Sequence, residues 1–437
     1  MNSKLVLWSI TVGLGGFLFG LDTAVISGAE KDIQRLWNLD DISLGFTVAT
    51  ALYGTVFGAA FGGIPADMFG RKKTLLWIGI LFFVSAIGAA VAQDPTTFMI
   101  FRFIGGLSIG ASSVVAPVYI SEIAPPQYRG RMVISFQFNI VFGILIAYVS
   151  NYLFDGFGGD DDWRWMLGVV ALPSLLFSIM VLFTPESPRW LITRKGDESH
   201  AREVLAITED DVDKAVNEIK ASQGENNGVQ ESFFNKKFTT PIILAFLFAF
   251  FNQLSGINAI IYFAPRIFEM TGLGQSGALL STAGIGLVNL VATIGGWYLI
   301  DRLGRRTLMF IGSVGYIVSL ALVAYAFYTN GHALTTYYIF AFIASHAIGQ
   351  GAVIWVFISE IFPNSVRASG MAWGSLTHWV FAALIANTFP YFASTFGGAP
   401  IFAFFSFMMV LQLLYVWFMM PETKGVSLED LQKRLIK

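Results

Sequence analysis

The sequence predicts an all-α membrane protein with twelve transmembrane helices in two pseudo-symmetric six-helix halves. Its composition is the first reason: 55% of the 437 residues are hydrophobic and 13% are charged, with a mean hydropathy of +0.64. A soluble domain carries about 25% charged residues. The net charge of −2 argues against a nucleic-acid partner, and a chain without cysteine has no disulfide, thiol chemistry or thiolate metal site.

The second reason is a series of twelve apolar segments, each near the ~20 residues that cross a bilayer. We interpret the first as a span rather than a cleaved signal, because Asp22 interrupts it and no clear small-residue cleavage site follows. The segments are 5–28, 43–66, 74–93, 97–121, 132–153, 163–184, 239–263, 276–300, 307–328, 336–359, 368–391 and 397–420.

The third reason is a set of motifs that occurs twice, in the same order. Asp67 to Lys72 corresponds to Asp301 to Arg306, Ile120 to Pro125 corresponds to Ile358 to Pro363, and Pro185-Glu186 corresponds to Pro421-Glu422. Two halves of six spans each have the same orientation, related by an axis along the membrane normal. Such a pair encloses a central cavity that opens to either side.

These observations define the predicted domains. They are an N-terminal half (1–184), a cytoplasmic helical linker (185–238), a C-terminal half (239–421) and a cytoplasmic tail (422–437). Most of the 27 Lys and Arg residues fall on the side that carries both termini and the linker. Because cytoplasmic loops are enriched in Lys and Arg, both termini are predicted to be cytoplasmic.

The stretch Asn252 to Asn258 places three side-chain amides inside the seventh apolar segment. Amides at that depth are costly unless they face protein or water. Gly256, beside Ser255, predicts a broken helix, which at membrane depth usually lines a cavity. These residues predict a polar binding site halfway through the membrane.

Asp22 is a carboxylate inside the first span, and Arg102, at the start of the fourth span, is its natural partner. A lone carboxylate at that depth is expected to be protonated or paired. The pair is either a fixed structural one or a proton carrier whose release is coupled to conformation. Ionisable groups inside membranes favour the second interpretation.

From end to end, the chain resembles the sugar porters of the major facilitator superfamily. The resemblance is carried by Asp67–Lys72, Arg102–Gly106, Glu122–Gly130, Pro185–Trp190, Gln253–Asn258, Asp301–Arg306 and Pro421–Gly425, in order. It implies the major facilitator fold and secondary active transport of a monosaccharide by alternating access. Proton-coupled relatives carry an Asp and an Arg at the places of Asp22 and Arg102, whereas facilitative relatives often have Asn for the Asp.

The resemblance also implies which side chains contact the sugar. Amides suit hydroxyls because both groups donate and accept. Asn252 and His378 depart from the family pattern, which usually has Gln at the first place and Gln or Asn at the second. The alternative for each amide is a helix–helix hydrogen bond, and for His378 a neutral interhelical histidine. The implied contacts are Phe19, Gln137, Asn252, Gln253, Asn258, Tyr262, Asn289, Trp355, His378 and Trp379.

Charged residues at the predicted cytoplasmic ends of the spans form another set. They either reflect positive-inside topology alone or, as the resemblance implies, latch the cytoplasmic side when the site faces outward. The set consists of Asp67, Arg71, Glu122, Arg129, Glu186 and Arg189 in the first half and Asp301, Arg305, Glu360, Arg367 and Glu422 in the second.

Other functions have less support in the sequence. No phosphate-binding loop is present, and the four histidines show no metal-ligand spacing, so neither an ATP-driven pump nor a membrane enzyme is expected. We expect no cofactor and no metal. The expected partners are a monosaccharide, a proton and the lipid bilayer, with a functional monomer. A facilitative uniporter and a non-transporting sugar sensor stay open as alternatives.

Overall fold

The computed structural model describes residues 3–209, 211–225, 232–363, 365–426 and 428–435; within them, only the backbone is described for residues 3, 126–131, 133, 222–225, 428, 429 and 432. These residues are mostly helical, and no strand occurs among them. Eleven of the described helices are long and apolar enough to cross a membrane. The prediction of an all-α membrane protein is confirmed.

The first six predicted spans correspond to helices of the N-terminal part. The sixth is divided at Val170, because Pro173 lies in the first turn of its second helix and proline interrupts the backbone hydrogen bonds of an α-helix. The helices are Ser3–Trp37, Asp41–Phe61, Arg71–Val91, Pro95–Ile123, Pro126–Phe154, and the pair Asp162–Gly168 and Ala171–Leu182.

The last six predicted spans also correspond to helices. Arg367–Phe396 is not among the eleven strongly apolar helices, although its 30 residues are enough to cross a bilayer. The helices are Thr239–Leu254 with Ile257–Met270, Gln275–Leu303, Arg305–Thr329, Thr335–His346 with the π-helix Ala347–Gly351 and Ala352–Ile361, Arg367–Phe396, and Gly398–Phe418.

The chain forms two compact units. The first comprises residues 1–23, 53–147 and 167–230, and the second comprises 24–52, 148–166 and 231–437. Within the second unit, short N-terminal segments pack on the C-terminal helices. The Tyr148 hydroxyl donates to the carbonyl of Ile261 at 3.0 Å, and the Asn151 amide joins the two N-terminal segments by donating to the carbonyl of Val25 at 3.1 Å. The division into halves at 184 and 239 stays a prediction.

The predicted linker forms a small folded element. Its helices Glu198–Thr208 and Val212–Glu225 pack with the preceding residues 191–195 around a hydrophobic cluster. Hydrogen bonds from Lys220 and Arg202 hold the pKa of the exposed Glu198 carboxylate below its usual range. The tail forms one further helix, Leu428–Leu435.

The predicted break in the seventh span is present. Helix Thr239–Leu254 ends just before Ser255, and helix Ile257–Met270 begins just after Gly256. The Ser255 hydroxyl donates to the Asn252 carbonyl at 2.6 Å and accepts from the Ile257 N–H at 3.3 Å. Gly256 has φ +83°, in the left-handed region. The hydroxyl satisfies backbone groups between the two helices, and the glycine allows the chain to turn there.

Gly256→Ala is expected to destabilise the protein. The left-handed conformation costs an L-residue about 1–2 kcal/mol, and a Cβ at this position would lie within 3 Å of the Phe405 ring. We expect a lower apparent melting temperature of the detergent-solubilised protein, measured by fluorescence-monitored unfolding.

Gly295→Ala is the matched control. Gly295 lies within helix Gln275–Leu303, and no atom lies within 4 Å of the position that its Cβ would take. Its substitution should leave the melting temperature unchanged or raise it slightly, because alanine favours the helix. Equal melting temperatures of wild type and Gly256→Ala would show that the break tolerates a side chain.

Candidate functional site

Asp22 and Arg102 form a buried ion pair, as the sequence predicts. The Arg102 Nη1 lies 2.9 Å from the Asp22 Oδ1, and its Nη2 donates to the Asp22 carbonyl at 3.2 Å. The two residues are 1% and 2% exposed. Two charges removed from water to this extent require each other, and losing either would leave the other buried and unpaired.

The pair leaves part of its hydrogen-bonding capacity unused. Within the described residues, Asp22 Oδ2 and Arg102 Nε are buried and make no hydrogen bond. A Cβ added at Gly105 would lie 3.3 Å from Asp22 Oδ2 and 2.5 Å from the Ser85 hydroxyl, so the glycine leaves room beside the carboxylate. One carboxylate oxygen is therefore bonded to arginine, and the other is able to accept a proton.

Two more predicted site residues lie in the first unit. Phe19 is half-buried one helical turn before Asp22, and its carbonyl accepts from the Thr23 hydroxyl at 2.7 Å. Gln137 is half-buried in the fifth span. Both residues therefore keep some exposed surface.

Gln253 is the centre of a hydrogen-bonded cluster in the second unit. Its Nε2 donates to the Asn252 Oδ1 at 2.8 Å, and its Oε1 accepts from the Asn258 Nδ2 at 2.6 Å. The same Nε2 lies 3.1 and 3.3 Å from the two ring nitrogens of His378. The structure thus joins the three amides of the seventh span to the histidine of the eleventh.

Two tryptophans flank His378. The ring centroid of Trp355 lies 5.3 Å from that of His378, and the ring of Trp379 lies 4.8 Å away in an edge-to-face arrangement. Trp355 lies in the helix Ala352–Ile361, which follows the π-helix Ala347–Gly351. His378 and Trp355 are half-buried, whereas Trp379 is 7% exposed. This group provides aromatic faces and polar nitrogens side by side.

The remaining two predicted contacts are Tyr262 and Asn289. Tyr262 is 1% exposed and is followed by Phe263, whose non-helical backbone kinks the helix. Asn289 is half-buried in the eighth span, and its Oδ1 accepts from the Thr293 hydroxyl at 3.4 Å.

Charged motifs at the predicted cytoplasmic end of the first unit form one connected network. Arg71 makes a two-pronged ion pair with Glu122 at 2.9 and 3.0 Å and a bond to Asp67 at 2.9 Å. Glu186 accepts the backbone N–H groups of Arg71 and Lys72 at 2.8 and 3.1 Å. A carboxylate at this place caps the N-terminus of the third span, where it is favoured by the helix dipole.

The second unit repeats this network with its own residues. Arg305 pairs with Glu360 at 2.9 Å and with Asp301 at 3.3 Å. Glu422 accepts the backbone N–H groups of Arg305 and Arg306 at 2.9 and 3.0 Å. The repeat that the motifs predict therefore extends to individual hydrogen bonds.

Glycines complete both capping sites. Gly70 and Gly304 have φ +100° and +90°, and a Cβ on either would lie within 3 Å of the capping carboxylate. Arg367 is half-buried and donates to the carbonyl of Phe362 at 3.3 Å, whereas Arg189 is exposed. The predicted contribution of Arg129 concerns a side chain outside the described residues.

A second charged cluster was not predicted from the sequence. Glu30 is fully buried, and Arg266 donates to both of its carboxylate oxygens, at 2.9 and 2.6 Å. The same guanidinium donates to Gln34 at 2.6 Å, and Lys31 pairs with Glu269. The predicted first span ended at residue 28, whereas the helix continues to Trp37 and carries Glu30 into the protein.

No group of three His, Asp or Glu side chains that could hold a metal ion occurs in the part of the chain that the structure describes. The functional candidates are therefore the buried ion pair, the amide–histidine cluster and the charged networks at the helix ends.

Comparison with known proteins identifies the family. The sequence profile described as "Sugar (and other) transporter" matches residues 8–435. The chain belongs to this family. Among members of the sugar transporter family, it is 35% identical to the arabinose-proton symporter of Bacillus subtilis over 446 residues, covering 99% of this chain and 95% of the relative.

Solved structures of the family give the fold. The inward-open xylose transporter XylE of Escherichia coli matches with a TM-score of 0.87 and 32% identity, covering 98% of this chain and 99% of that one. XylE bound to 6-bromo-6-deoxy-D-glucose, described as a proton:xylose symporter of the major facilitator superfamily, matches with a TM-score of 0.81 and 32% identity over 99% of both chains. The predicted major facilitator fold is confirmed, and a family of transporters, not enzymes, contains this chain.

The pair of Glu30 and Arg266 is expected to show strong coupling in a double-mutant cycle. Removing one partner of a buried ion pair costs about 3–5 kcal/mol, because the other charge remains buried. We expect Arg266→Met to lower the apparent melting temperature more than the double variant Glu30→Gln/Arg266→Met does.

Asp161→Asn is the control for this cycle. Asp161 pairs with Arg164 in the same unit, but its side chain is 65% exposed, and exposed pairs contribute about 0–1 kcal/mol. Asp161→Asn should change the apparent melting temperature only slightly. Additive effects of the two substitutions at Glu30 and Arg266 would contradict a coupled pair.

Proposed function

We propose that this protein carries a monosaccharide across the membrane together with a proton, by alternating access. The observation that carries the proposal is the buried pair of Asp22 and Arg102, in which one carboxylate oxygen has no hydrogen-bond partner among the described residues. The arabinose-proton symporter and the proton:xylose symporter, both similar to this chain over nearly its whole length, support this assignment.

Binding of the proton changes the net charge of this pair. Without the proton, the Asp22 carboxylate and the Arg102 guanidinium neutralise each other. A proton on Asp22 Oδ2 removes the negative charge, so the guanidinium loses its counter-ion in a buried place. The protonated state then favours another conformation of the first and fourth spans, which links proton binding to movement.

The sugar is bound by side chains that match its surface. Hydroxyl groups both donate and accept, as amides do, while the C–H faces of the ring suit aromatic rings. The convergence of amides, His378 and two tryptophans in the second unit supports this assignment. The proposed contacts are those that the resemblance implies: Phe19, Gln137, Asn252, Gln253, Asn258, Tyr262, Asn289, Trp355, His378 and Trp379.

Movement is assigned to two rigid halves, 1–184 and 239–421, joined by the linker 185–238. In the first unit, Arg71 bonds to Glu122 through its side chain and to Glu186 through its backbone N–H. Arg305 does the same with Glu360 and Glu422 in the second unit. These contacts link separate helix ends within each unit, which supports motion of each half as a body. We assign these charged residues to a cytoplasmic gate, place both termini in the cytoplasm, and assign the working unit as a monomer in the bilayer.

Reconstituted vesicles test the function. The purified protein is placed in proteoliposomes, and uptake of labelled D-xylose, L-arabinose and D-glucose is measured with and without an inward proton gradient. We expect saturable uptake of at least one sugar, accumulated above its outside concentration only when the gradient is present. A uniporter would equilibrate the sugar regardless of the gradient, and a sensor would bind sugar without uptake.

Asp22→Asn is expected to separate transport from proton coupling. The amide cannot take up the proton, so accumulation driven by the gradient should be lost, while exchange of labelled for unlabelled sugar continues. Asp213→Asn, in the linker where the aspartate is 79% exposed, should accumulate sugar normally. Gradient-driven accumulation by Asp22→Asn equal to wild type would exclude Asp22 as the proton carrier.

Neutralising the gate carboxylates should favour opening of the cytoplasmic side. The chain has no cysteine, so a single Ser359→Cys reports accessibility at this end. In the background Glu122→Gln/Glu360→Gln, we expect its modification by a maleimide to be about two- to fivefold faster, which corresponds to ~1 kcal/mol or less. An unchanged modification rate would show that these ion pairs do not hold the gate closed. Glu218→Gln, on an exposed linker helix, is the control.

A further inference from the structure

We infer that an apolar cavity between the eleventh and twelfth spans binds one acyl chain of a membrane phospholipid, and that this chain holds the seventh span in its broken conformation. The cavity has a volume of about 250 Å³ and lies beside the junction of helix Arg367–Phe396 and helix Gly398–Phe418. Binding of the lipid stands apart from the proposed transport, whereas its effect on sugar movement rests on that function.

The lining of the cavity fits hydrocarbon rather than a polar ligand. Thr388 is the single polar residue among the described residues that line it. Its hydroxyl donates to the carbonyl of Leu384 at 2.8 Å, within the same helix, and so is already satisfied. Water or a polar molecule would lose hydrogen bonds in such a place, because the lining offers no further polar side chain in exchange.

The cavity is reached from the lipid-facing surface. The rings of Phe392, Phe396 and Phe404 are exposed, whereas those of Phe389 and Phe405 are buried. The lining thus changes from exposed rings to buried ones. Both helices belong to spans of the major facilitator fold, so the medium around the exposed rings is the hydrocarbon of the bilayer. The molecule that this medium supplies is a phospholipid acyl chain, which enters without crossing a polar surface.

The buried rings of the lining contact the two irregular points of the seventh span. A Cβ at Gly256 would lie within 3 Å of three atoms of the Phe405 ring, so this ring covers the break itself. Phe389 stacks on Phe263 with ring centroids 5.2 Å apart, and Phe263 has the non-helical backbone that kinks helix Ile257–Met270. The two rings therefore separate the cavity from both points at which the seventh span bends.

An acyl chain in the cavity restricts these two rings. In an occupied cavity, Phe405 and Phe389 cannot turn away from the seventh span without displacing the chain. In an empty one, either ring can move into the free volume, where it regains the contacts that a void lacks. Helix Ile257–Met270 also carries Asn258 and Tyr262, two proposed sugar contacts. Lipid binding thus favours one position of the side chains that hold the sugar, because the chain binds that position more tightly.

Photo-cross-linking tests the binding of the lipid. The full chain is reconstituted in vesicles of phosphatidylethanolamine and phosphatidylglycerol, with a trace of phosphatidylethanolamine that carries a diazirine in one acyl chain. After illumination, mass spectrometry locates the labelled residues. We expect label on Ile401, which lines the cavity and is 9% exposed, at least as strong as on Ile311, which is 50% exposed in the ninth span. Label on Ile311 without label on Ile401 would overturn the lipid site.

Filling the cavity with a side chain is expected to displace the lipid. Ile385 lines the cavity and is half-buried, so Ile385→Trp places an indole in the space of the acyl chain. Label on Ile401 should then be lost, and its persistence would show that the label does not come from the cavity. Ile179→Trp, at an exposed position of the sixth span, is the control and should keep the label. Thr388→Phe serves if Ile385→Trp does not fold, since the hydroxyl that it removes bonds within its own helix.

Amide hydrogen exchange tests the coupling to the seventh span, independently of transport. The indole of Ile385→Trp stays in the cavity, whereas a lipid chain leaves and returns. We therefore expect the amides of residues 257–270 to exchange about two- to tenfold more slowly in this variant than in wild type, in the same vesicles. Ile179→Trp should match wild type. Equal exchange of this segment in wild type, Ile385→Trp and Thr388→Phe would contradict the coupling.

Sugar exchange then connects the cavity to transport. With whichever of D-xylose, L-arabinose and D-glucose the wild type carries, Ile385→Trp should exchange labelled for unlabelled sugar more slowly, because its seventh span is held in one position. A wild type that is labelled at Ile401 but exchanges no sugar would contradict the proposed function and support the lipid site. A wild type that exchanges sugar without label on Ile401 would contradict the lipid site alone.

Discussion

The structure depends on one constraint: inside a membrane, polar groups must find their partners within the protein. Water is not available there, and an unsatisfied backbone or side-chain group costs several kcal/mol. The chain meets this constraint at the break in the seventh span, where the Ser255 hydroxyl serves two backbone groups and Gln253 serves three side chains. The helix break and the amide cluster thus both provide partners for polar groups inside the membrane.

Among the described residues, several buried side-chain atoms make no hydrogen bond, and some of them belong to functional candidates. The free oxygen of Asp22 is one of them, and it belongs to a buried ion pair in the first unit. A fully saturated carboxylate would be a better structural element but a poorer proton acceptor. Gln253 is saturated by its neighbours, whereas one oxygen of Asp22 makes no hydrogen bond among the described residues.

Most of the fold and part of the site could be predicted from the sequence. The spans were predicted from the length of the apolar segments, because a run of about twenty apolar residues is typical of a membrane-spanning helix. The repeated motifs predicted both charged networks. The position of Asp22 in an apolar run predicted its pairing with Arg102. Spacing does not tell which way an amide points, so the commitment of Gln253 to its own neighbours was not predictable. Glu30 was missed for a different reason: hydropathy ends a span where charges begin, but the helix continues as a buried element with Arg266 as its partner.

The capping glutamates have a consequence for how the chain is made. Glu186 lies 115 residues after Arg71, whose helix it caps, and Glu422 lies 117 residues after Arg305. The first turns of the third and ninth helices therefore emerge from the ribosome long before the carboxylates that complete them. The N-terminus of each of these two helices is therefore capped only after the corresponding glutamate has been synthesised. A chain cut short before Glu186 or Glu422 would leave that helix N-terminus without its capping carboxylate.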